Sequence, residues 1–358
     1  MLKFAIIGAG AGGQSMAAIL TDKGYNVRLY DIDREKIHRL QKLDAIKVTG
    51  VIQCEAKPAV ITDSIEEVMT DVDVVMIVST TDAHGSIAAQ IKPYLKDGQI
   101  VMLNPGHCGG ALEIAHVLRG ENGCGKDLII AEAGDLMYGC RSYEIGNILH
   151  TGLKVHVPVA TLPAGDVTKL LEVLGPIFPC LKPAANVLET GFEGAGAMLH
   201  PIPSLMNVNK MDLGESYDYY MEGITPHIAD IISACDKERV AVCRALGVDA
   251  LDLISMLTKT YKLEKKDNLY DLIQSIESYK ALRNPTNTKH RFIVEDTMSG
   301  LVPLASVGRS LGIATPMMDS FINIASAVCG RDFWTEGRTA EKLGLAGKTA
   351  AEIQDMVR

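Results

Sequence analysis

The fold of this chain follows most directly from one segment near its N-terminus, Phe4-Ala5-Ile6-Ile7-Gly8-Ala9-Gly10-Ala11-Gly12-Gly13. The apolar residues predict a short buried strand, and the glycines that follow satisfy a GxGxxG pattern at Gly8, Gly10 and Gly13. Glycine permits a tight turn and a close approach of the backbone to a pyrophosphate, while the start of the next helix supplies unpaired N–H donors. The segment therefore predicts the phosphate-binding turn of a dinucleotide-binding βαβ unit, although a glycine-rich turn that only packs strand on helix is an alternative.

An acidic residue stands where such a unit needs one. The second predicted strand ends at Asp31, twenty-one residues after Gly10, which is the spacing expected of a carboxylate that binds the adenosine ribose. A carboxylate there repels a 2′-phosphate, so the sequence favours NAD over NADP. Arg28 and Arg34 are close enough in sequence to shield a 2′-phosphate, and Arg34 is kept as a candidate cofactor-binding residue. Solvated charges at the end of a strand or helix would give the same pattern.

The periodicity of the chain changes near its middle. Up to about residue 160, short β-rich runs alternate with helical spacing, which is typical of a parallel sheet covered by helices. Strands are predicted at 4–7, 27–30, 74–78, 100–103, 128–131 and 155–159, with a small strand insertion within 45–61. Helical spacing dominates from about Asn186, after a cluster of prolines. The sequence predicts a doubly wound, mostly parallel α/β Rossmann domain at residues 1–185, then an all-helical domain at residues 186–358.

Composition excludes several classes of protein. The 358 residues include 35 Lys and Arg against 44 Asp and Glu, a formal net charge of −9. A negative surface repels phosphate backbones and anionic bilayers, which argues against nucleic-acid and membrane partners and leaves small molecules as ligands. Eight cysteines are scattered without CxxC or Cys/His spacing. They are interpreted as reduced thiols of a cytoplasmic protein, with no metal site.

Polar and turn residues follow two later strands. Thr80 comes after the strand at 74–78, and Asn104 and Gly106 come after the strand at 100–103. The carboxyl ends of strands line the ligand crevice of an open α/β sheet, so these residues are predicted to flank the nicotinamide half of the cofactor. Ordinary loop chemistry would account for them equally well.

Two segments of the second half carry groups suited to proton transfer and carboxylate binding. His200 lies in a small-residue helical run, and Pro201 directly after it disfavours a regular helix. Arg291 precedes Asp296 by five residues, so a guanidinium could bind a substrate carboxylate while the aspartate holds a histidine. A packed histidine and a surface ion pair would explain the same residues, and spacing alone does not separate the alternatives.

Four segments together resemble the opine dehydrogenase family, which includes octopine and nopaline dehydrogenases. They are the glycine turn, Leu103-Asn104-Pro105-Gly106, MLHPIPSLMN at 198–207 and RFIVEDTMSGLVP at 291–303. The similarity extends over essentially the whole chain, and the last two segments are far more specific than GxGxxG. The resemblance implies a Rossmann domain before an all-helical domain. It also implies an enzyme that uses NAD(P)H to condense an α-keto acid, often pyruvate, reductively with the amino group of an amino acid.

The resemblance also implies roles for single residues. His200 corresponds to the family's catalytic histidine, Asp296 to the aspartate paired with it, and Arg291 to an arginine that holds a substrate carboxylate. His200 would then shuttle the proton for carbinolamine breakdown and imine reduction, while Asp296 fixes the ring tautomer. Cys140 and Arg141 fall in a stretch similar to the family's substrate segment, which also contains Glu132.

The chain departs from the family pattern at two places. Thr297-Met298-Ser299-Gly300 lacks the aromatic residue that usually precedes the glycine, and Met137 stands where a proline is common. Neither change removes a proposed catalytic group, but both could reshape the pocket for the amino substrate.

Two other functions stay open from the sequence. A simple 2- or 3-hydroxyacid dehydrogenase of the Rossmann-plus-helical type is one. Those that resemble 6-phosphogluconate dehydrogenase have a lysine four residues after a glycine, whereas here His200 follows Gly196 at that spacing. A non-catalytic NAD(H) sensor is the other, but it would not need the histidine, arginine and aspartate together. The apolar face that a helical domain can offer is compatible with a homodimer.

Overall fold

The computed structural model describes residues 1–280 and 282–358, which form two compact units. The first unit comprises residues 1–191 together with 357–358, and the second comprises residues 192–356. The domain boundary expected after residue 185 falls inside the first unit. The division into a dinucleotide-binding domain and a catalytic domain stays a prediction.

Among the residues that the structure describes, the strands all belong to the first unit and follow the predicted alternation. They are β1 Lys3–Ile7, β2 Asn26–Tyr30, β3 Ile46–Gly50, β4 Cys54–Ala56, β5 Val60–Thr62, β6 Val74–Ile77, β7 Ile100–Leu103, β8 Ile129–Ala133, β9 Tyr138–Glu144, β10 Asn147–Leu153, β11 Val157–Leu162 and β12 Leu181–Pro183. Among the described residues, eight of them form one sheet in the order β12-β11-β8-β7-β6-β1-β2-β5. Every neighbouring pair is parallel except β8 with β11. The predicted doubly wound, mostly parallel sheet is confirmed.

The apolar runs that predicted these strands are buried on both faces. All residues of β6 and β7 are buried, as is usual for the centre of a parallel sheet that helices cover on both sides. Seven helices lie wholly or mostly in this unit: α1 Ala11–Asp22, α2 Arg34–Gln41, α3 Ile65–Val68, α4 His84–Ile91, α5 Gly110–Arg119, α6 Val167–Leu174 and α7 Val187–Phe192. The predicted alternation of short strands with helical segments is thus confirmed.

A second, smaller sheet contains the insertion and a hairpin that the sequence did not predict. Its order is β4-β3-β10-β9, so β3 and β4 confirm the insertion, while β5 joins the main sheet instead. The antiparallel pair β9–β10 escaped prediction because most of β9 is only half-buried or exposed, which leaves no continuous apolar run.

The second unit is helical, as predicted. After α7 Val187–Phe192 come α8 Gly196–Leu199, α9 Pro201–Met206, α10 Val208–Asp212, α11 Pro226–Ala245, α12 Leu253–Tyr261, α13 Leu269–Gln274, α14 Arg291–Asp296, α15 Val302–Ser310, α16 Pro316–Cys329, α17 Phe333–Glu336 and α18 Ala350–Val357. A π-helical turn at Thr297–Leu301 joins α14 to α15. In the part of the chain that the structure describes, no helix has both the length and the apolar composition needed to cross a bilayer.

Candidate active site

The order of the strands places the predicted cofactor residues at one edge of the main sheet. The chain winds outward in one direction through β2 and β5 and in the other through β6, β7 and β8, so the winding reverses at β1. Gly8 follows β1, Asp31 follows β2, Thr80 lies just after β6 and Asn104 follows β7. In open α/β sheets, ligands bind at the carboxyl ends of the strands where the winding reverses.

The turn after β1 has the shape of a phosphate cradle. Gly8 has a φ of 110°, and a Cβ there would lie 2.5 Å from the carbonyl oxygen of Val78. A Cβ on Gly13 would lie 1.7 Å from the carbonyl oxygen of Gly8, so glycine lets α1 begin directly against the end of the strand. A Cβ on the exposed Gly10 would meet nothing within 4 Å. Gly10 therefore forms the open side of the turn, and the first-turn N–H groups of α1 fit a pyrophosphate.

The Asp31 carboxylate is bonded to this turn. Its Oδ2 accepts hydrogen bonds from the backbone N–H of Ala9 at 2.7 Å and from Lys36 Nζ at 3.0 Å. Its Oδ1 accepts a bond from the N–H of Asp33 at 2.9 Å. Lys36 was not predicted as a site residue. Asp33 caps α2 by accepting a hydrogen bond from the backbone N–H of Lys36, which fixes the backbone position of this lysine.

The two arginines considered near Asp31 contact other groups. Arg34 Nε pairs with Asp63 at 3.1 Å, and 88% of the Arg34 side chain is exposed. Arg28 donates to the carbonyl oxygen of Glu67 at 3.0 Å. The structure therefore places Lys36, rather than either arginine, against the Asp31 carboxylate.

Asn104 and Gly106 are buried at the end of β7, whereas Thr80 is exposed. Asn104 Nδ2 donates to the carbonyl oxygen of Met102 at 3.1 Å. A Cβ on Gly106 would lie 2.2 Å from Glu132 Oε2, so this glycine allows the carboxylate to pack beneath it. Any contact of these residues with a cofactor stays a prediction.

Glu132 is fully buried and links three elements of the first unit. Its Oε2 accepts from the N–H of Ala111 at 2.8 Å, and its Oε1 accepts from Thr190 Oγ1 at 2.7 Å. The carboxylate thereby ties β8 to the start of α5 and to α7. Glu132 is thus part of the support beneath the loops at this edge of the sheet.

Cys140 and Arg141 are neighbours on β9, in the smaller sheet. Cys140 is half-buried against the core, and burial raises the pKa of its thiol. Arg141 is exposed, on the opposite face of the strand because successive side chains alternate. Their role in substrate binding stays a prediction.

The second unit brings together the histidine and the aspartate predicted to form a pair. His200 Nδ1 lies 2.9 Å from Asp296 Oδ2, and both side chains are largely buried. A carboxylate only accepts hydrogen bonds, so Nδ1 carries the proton and donates it. The proposed exchange of protons with a substrate would fall to the other ring nitrogen, Nε2, and stays a prediction.

The break at Pro201 fixes the position of the histidine. His200 lies between α8 and α9, and Pro201 begins the second of these helices, as the sequence suggested. The carbonyl oxygen of His200 accepts hydrogen bonds from Ser204 Oγ at 2.7 Å and from Tyr219 Oη at 2.6 Å. Because Tyr219 is fully buried, the backbone that carries the imidazole is anchored in the core.

Phe292 and Gly196 shape the surroundings of the pair. The Phe292 ring stacks on the imidazole of His200, with ring centroids 4.0 Å apart and 11° between the planes. Phe292 and Asp296 are four residues apart on α14 and so share one face of that helix. A Cβ on Gly196 would lie 2.9 Å from Asp296 Oδ1, so only glycine admits the carboxylate there. Phe292 was missed, although its spacing from Asp296 was visible in the sequence.

Arg291 lies at the same aromatic ring. Its guanidinium carbon is 5.6 Å from the centroid of Phe292, and its Nη1 is 3.7 Å from Glu295 Oε2. The exposed arginine therefore forms the ion pair that the sequence left open, but with Glu295 rather than Asp296. His290, also missed, caps α14 by accepting from the N–H of Phe292 at 3.3 Å. Burial, together with the charges of Arg291 and His200, lowers the pKa of His290.

These features define the class of the protein. A dinucleotide turn on a Rossmann sheet, followed by a helical unit that carries a histidine–aspartate pair, is the arrangement of a nicotinamide-dependent oxidoreductase. Residues 183–329 match the family model described as NAD/NADP octopine/nopaline dehydrogenase, alpha-helical domain. Residues 3–105 match the NAD binding domain of 6-phosphogluconate dehydrogenase.

Comparison with whole proteins identifies the family. The opine dehydrogenase of Arthrobacter sp. (strain 1C) is 36% identical over 355 residues, which cover 99% of this chain and 98% of that protein. The chain belongs to the opine dehydrogenase family and is an NAD(P)-dependent oxidoreductase that acts on CH–NH groups. The resemblance seen in the sequence is thus confirmed.

Solved structures share the fold over the same length. Octopine dehydrogenase with NADH and L-arginine superimposes with a TM-score of 0.82 at 20% identity, covering 99% of this chain and 98% of that one. Yersinopine dehydrogenase with NADP⁺ bound gives a TM-score of 0.75 at 15% identity, covering 100% and 98%. At these identities the comparison establishes the fold.

Proposed function

We propose that this chain condenses pyruvate, or a closely related α-keto acid, with the amino group of an amino acid and reduces the resulting imine to a secondary amine. The contact of 2.9 Å between His200 and Asp296, in a member of the opine dehydrogenase family, is the observation that carries the proposal. The contact with Asp296 fixes the orientation of an imidazole, and both condensation and reduction need such a group for proton transfer.

His200 moves the protons of the condensation. As a neutral base, its Nε2 takes a proton from the ammonium group of the amino acid, and the amine so formed attacks the keto carbon. As an imidazolium, it returns a proton to the hydroxyl group that leaves the carbinolamine. Asp296 accepts from Nδ1 throughout, which keeps Nε2 available and stabilises the imidazolium. General acid–base assistance of this kind is worth about 10²–10⁴-fold in rate.

Arg291 binds the carboxylate of the keto acid in this proposal. A guanidinium can hold a carboxylate through two parallel hydrogen bonds, which fixes the keto carbon in place. The Phe292 ring and Glu295 keep the guanidinium at the same end of α14 as the histidine. Cys140 and Arg141 are proposed to contact the amino substrate, on the strength of the family segment that contains them.

The glycine turn and Asp31 would hold the dinucleotide, which supplies the hydride when bound. The exposed Gly10 and the first turn of α1 receive the pyrophosphate, and Asp31 receives the ribose hydroxyls. We propose NADH as the preferred cofactor because a carboxylate disfavours a 2′-phosphate. Further proposed cofactor contacts are Arg34, Thr80, Asn104 and Gly106.

The same proposal places the protein in the cytoplasm, where its eight free cysteines would stay reduced. A homodimer also stays a prediction. Fractionation and sedimentation measure these two properties directly.

The product of the reaction tests the function. The enzyme is incubated with NADH, pyruvate and a mixture of amino acids, and secondary amines are sought by mass spectrometry. The proposal expects a new ion for each amino acid accepted, with a mass that rises when labelled pyruvate is used. Formation of lactate without any secondary amine would instead support a hydroxyacid dehydrogenase, and tight NADH binding without turnover would support a sensor.

A further inference from the structure

We propose that Lys36 sets how strongly this chain discriminates against NADPH, an inference that rests on the proposed function only in taking the dinucleotide to be the ligand of the glycine turn. An acidic residue at this position disfavours a 2′-phosphate, whereas a basic residue nearby accommodates one. Here the acidic residue has a cationic partner at 3.0 Å, and the pair must be considered together.

The Lys36–Asp31 pair is largely buried and is held by several hydrogen bonds, unlike a solvent-exposed surface ion pair. Only 27% of the Lys36 side chain and 10% of the Asp31 side chain are exposed. The carboxylate is held from the other side by the N–H groups of Ala9 and Asp33, at 2.7 and 2.9 Å. Lys36 stands in the first turn of α2, whose cap at Asp33 fixes its starting point. The ammonium therefore lies at the carboxylate before any ligand arrives.

The two arginines near Asp31 in the sequence contact other groups. Arg34 is turned to Asp63, and Arg28 is bound to the carbonyl oxygen of Glu67. The nearest other acidic group to the ammonium is Asp33, with an oxygen 3.9 Å from Lys36 Nζ. Lys36 is accordingly the cationic side chain that contacts Asp31 and would face a ligand bound beside it.

The charge of Lys36 changes the cost of accepting a 2′-phosphate. An unpaired carboxylate would repel the phosphate, while a lysine ammonium offsets that repulsion and has three N–H donors on a flexible stem. One donor can stay on Asp31 while another turns to the phosphate. The ribose hydroxyls of NADH need only carboxylate lone pairs, so NADH binding depends little on the ammonium. Lys36 thus raises the affinity for NADPH at a site that Asp31 would otherwise restrict to NADH.

Direct binding measurements separate the two residues. The dissociation constants of NADH and NADPH are measured by nicotinamide fluorescence for the wild type, Lys36→Gln and Lys36→Arg. Lys42→Gln is the matched control, since Lys42 is exposed at the far end of α2, and Arg34→Gln tests the other cationic side chain near Asp31. Loss of a charge-assisted hydrogen bond predicts that Lys36→Gln weakens NADPH binding about tenfold or more. NADH binding should stay close to the wild-type value, Lys36→Arg should retain NADPH binding, and Lys42→Gln should leave the ratio of the two dissociation constants unchanged.

Several results would overturn the inference. They are a wild type that binds no NADPH, an equal loss of both dinucleotides in Lys36→Gln, and a loss of NADPH binding that follows Arg34→Gln instead. Retained NADH binding shows that Lys36→Gln is folded. Because these measurements need no keto acid or amine, the expected pattern without any secondary-amine product would defeat the proposed reaction and leave the role of Lys36 standing.

Discussion

His200 and Asp296 are separated by 96 residues of sequence, yet His200 Nδ1 lies 2.9 Å from Asp296 Oδ2. The contact depends on two neighbours: Gly196 gives the carboxylate room, and Pro201 begins a new helix directly after the histidine. Removing either partner should affect chemistry more than folding.

Replacing His200 by alanine should lower kcat by at least about 10²-fold, because the reaction loses its general acid and base. NADH affinity, measured by fluorescence, should change little, since the glycine turn and Asp31 lie in the other unit. His227→Ala, which removes an exposed histidine, is the matched control and should keep full activity. Near-normal turnover in the His200 variant would remove this residue from the mechanism.

Asp296→Asn should keep the geometry but allow the wrong ring tautomer, with a fall in kcat of about 10²–10⁴-fold. The two residues act as one unit, so adding His200→Ala to the asparagine variant should reduce kcat little further. Steady-state rates of the two single variants and the double variant close the cycle. Fully additive losses would show that the pair does not work together.

Arg291→Lys should raise KM for the keto acid by about tenfold or more, because an ammonium keeps the charge but loses the planar fork. Arg283→Lys is a fair comparison, since Arg283 is another exposed, ion-paired arginine of the second unit. An unchanged KM in the Arg291 variant would assign carboxylate binding to another group.

Alanine at two glycines of the turn should affect two different properties, dinucleotide binding and thermal stability. Gly10→Ala leaves the fold intact, because its Cβ meets no protein atom within 4 Å, but the methyl group enters the space proposed for the pyrophosphate and weakens dinucleotide binding. Gly13→Ala lowers Tm, since its Cβ would lie 1.7 Å from the carbonyl oxygen of Gly8. Thermal unfolding and NADH titration of both variants give the comparison, and unimpaired NADH binding in Gly10→Ala would count against the cradle.

The stability of the first unit should depend on pH through His150. This histidine is buried against Ser15 and Tyr138, and burial lowers its pKa from the ordinary 6.5. As the pH falls below about 6.5 the unfolded chain takes up the proton first, so the free energy of unfolding declines until the folded histidine is also protonated. Urea unfolding at several pH values should show this decline, and His150→Gln should flatten it. His156→Gln, at an exposed position, should leave it unchanged, and an equal decline in both variants would assign the effect elsewhere.

Local chemistry made part of this molecule predictable. Buried parallel strands such as β6 and β7 are apolar throughout, and close backbone approach requires glycine at Gly8 and Gly13, so both features leave clear signals. The pairing of His200 with Asp296 was expected from family resemblance, because no local rule links residues so distant in sequence. The hairpin β9–β10 and the π-helical turn depend on tertiary packing and left no periodic pattern. Lys36 was overlooked for a similar reason: its contact with Asp31 depends on where α2 begins, and the Asp33 cap fixes that only in the folded chain.

The requirement for an amine tests the central claim most directly. NADH oxidation is followed with pyruvate alone, with amino acids alone and with both together, using the wild type and His200→Ala. The account predicts rapid oxidation by the wild type only when both substrates are present, and a rate at least about 10²-fold lower in the variant. Equal oxidation with pyruvate alone would contradict it.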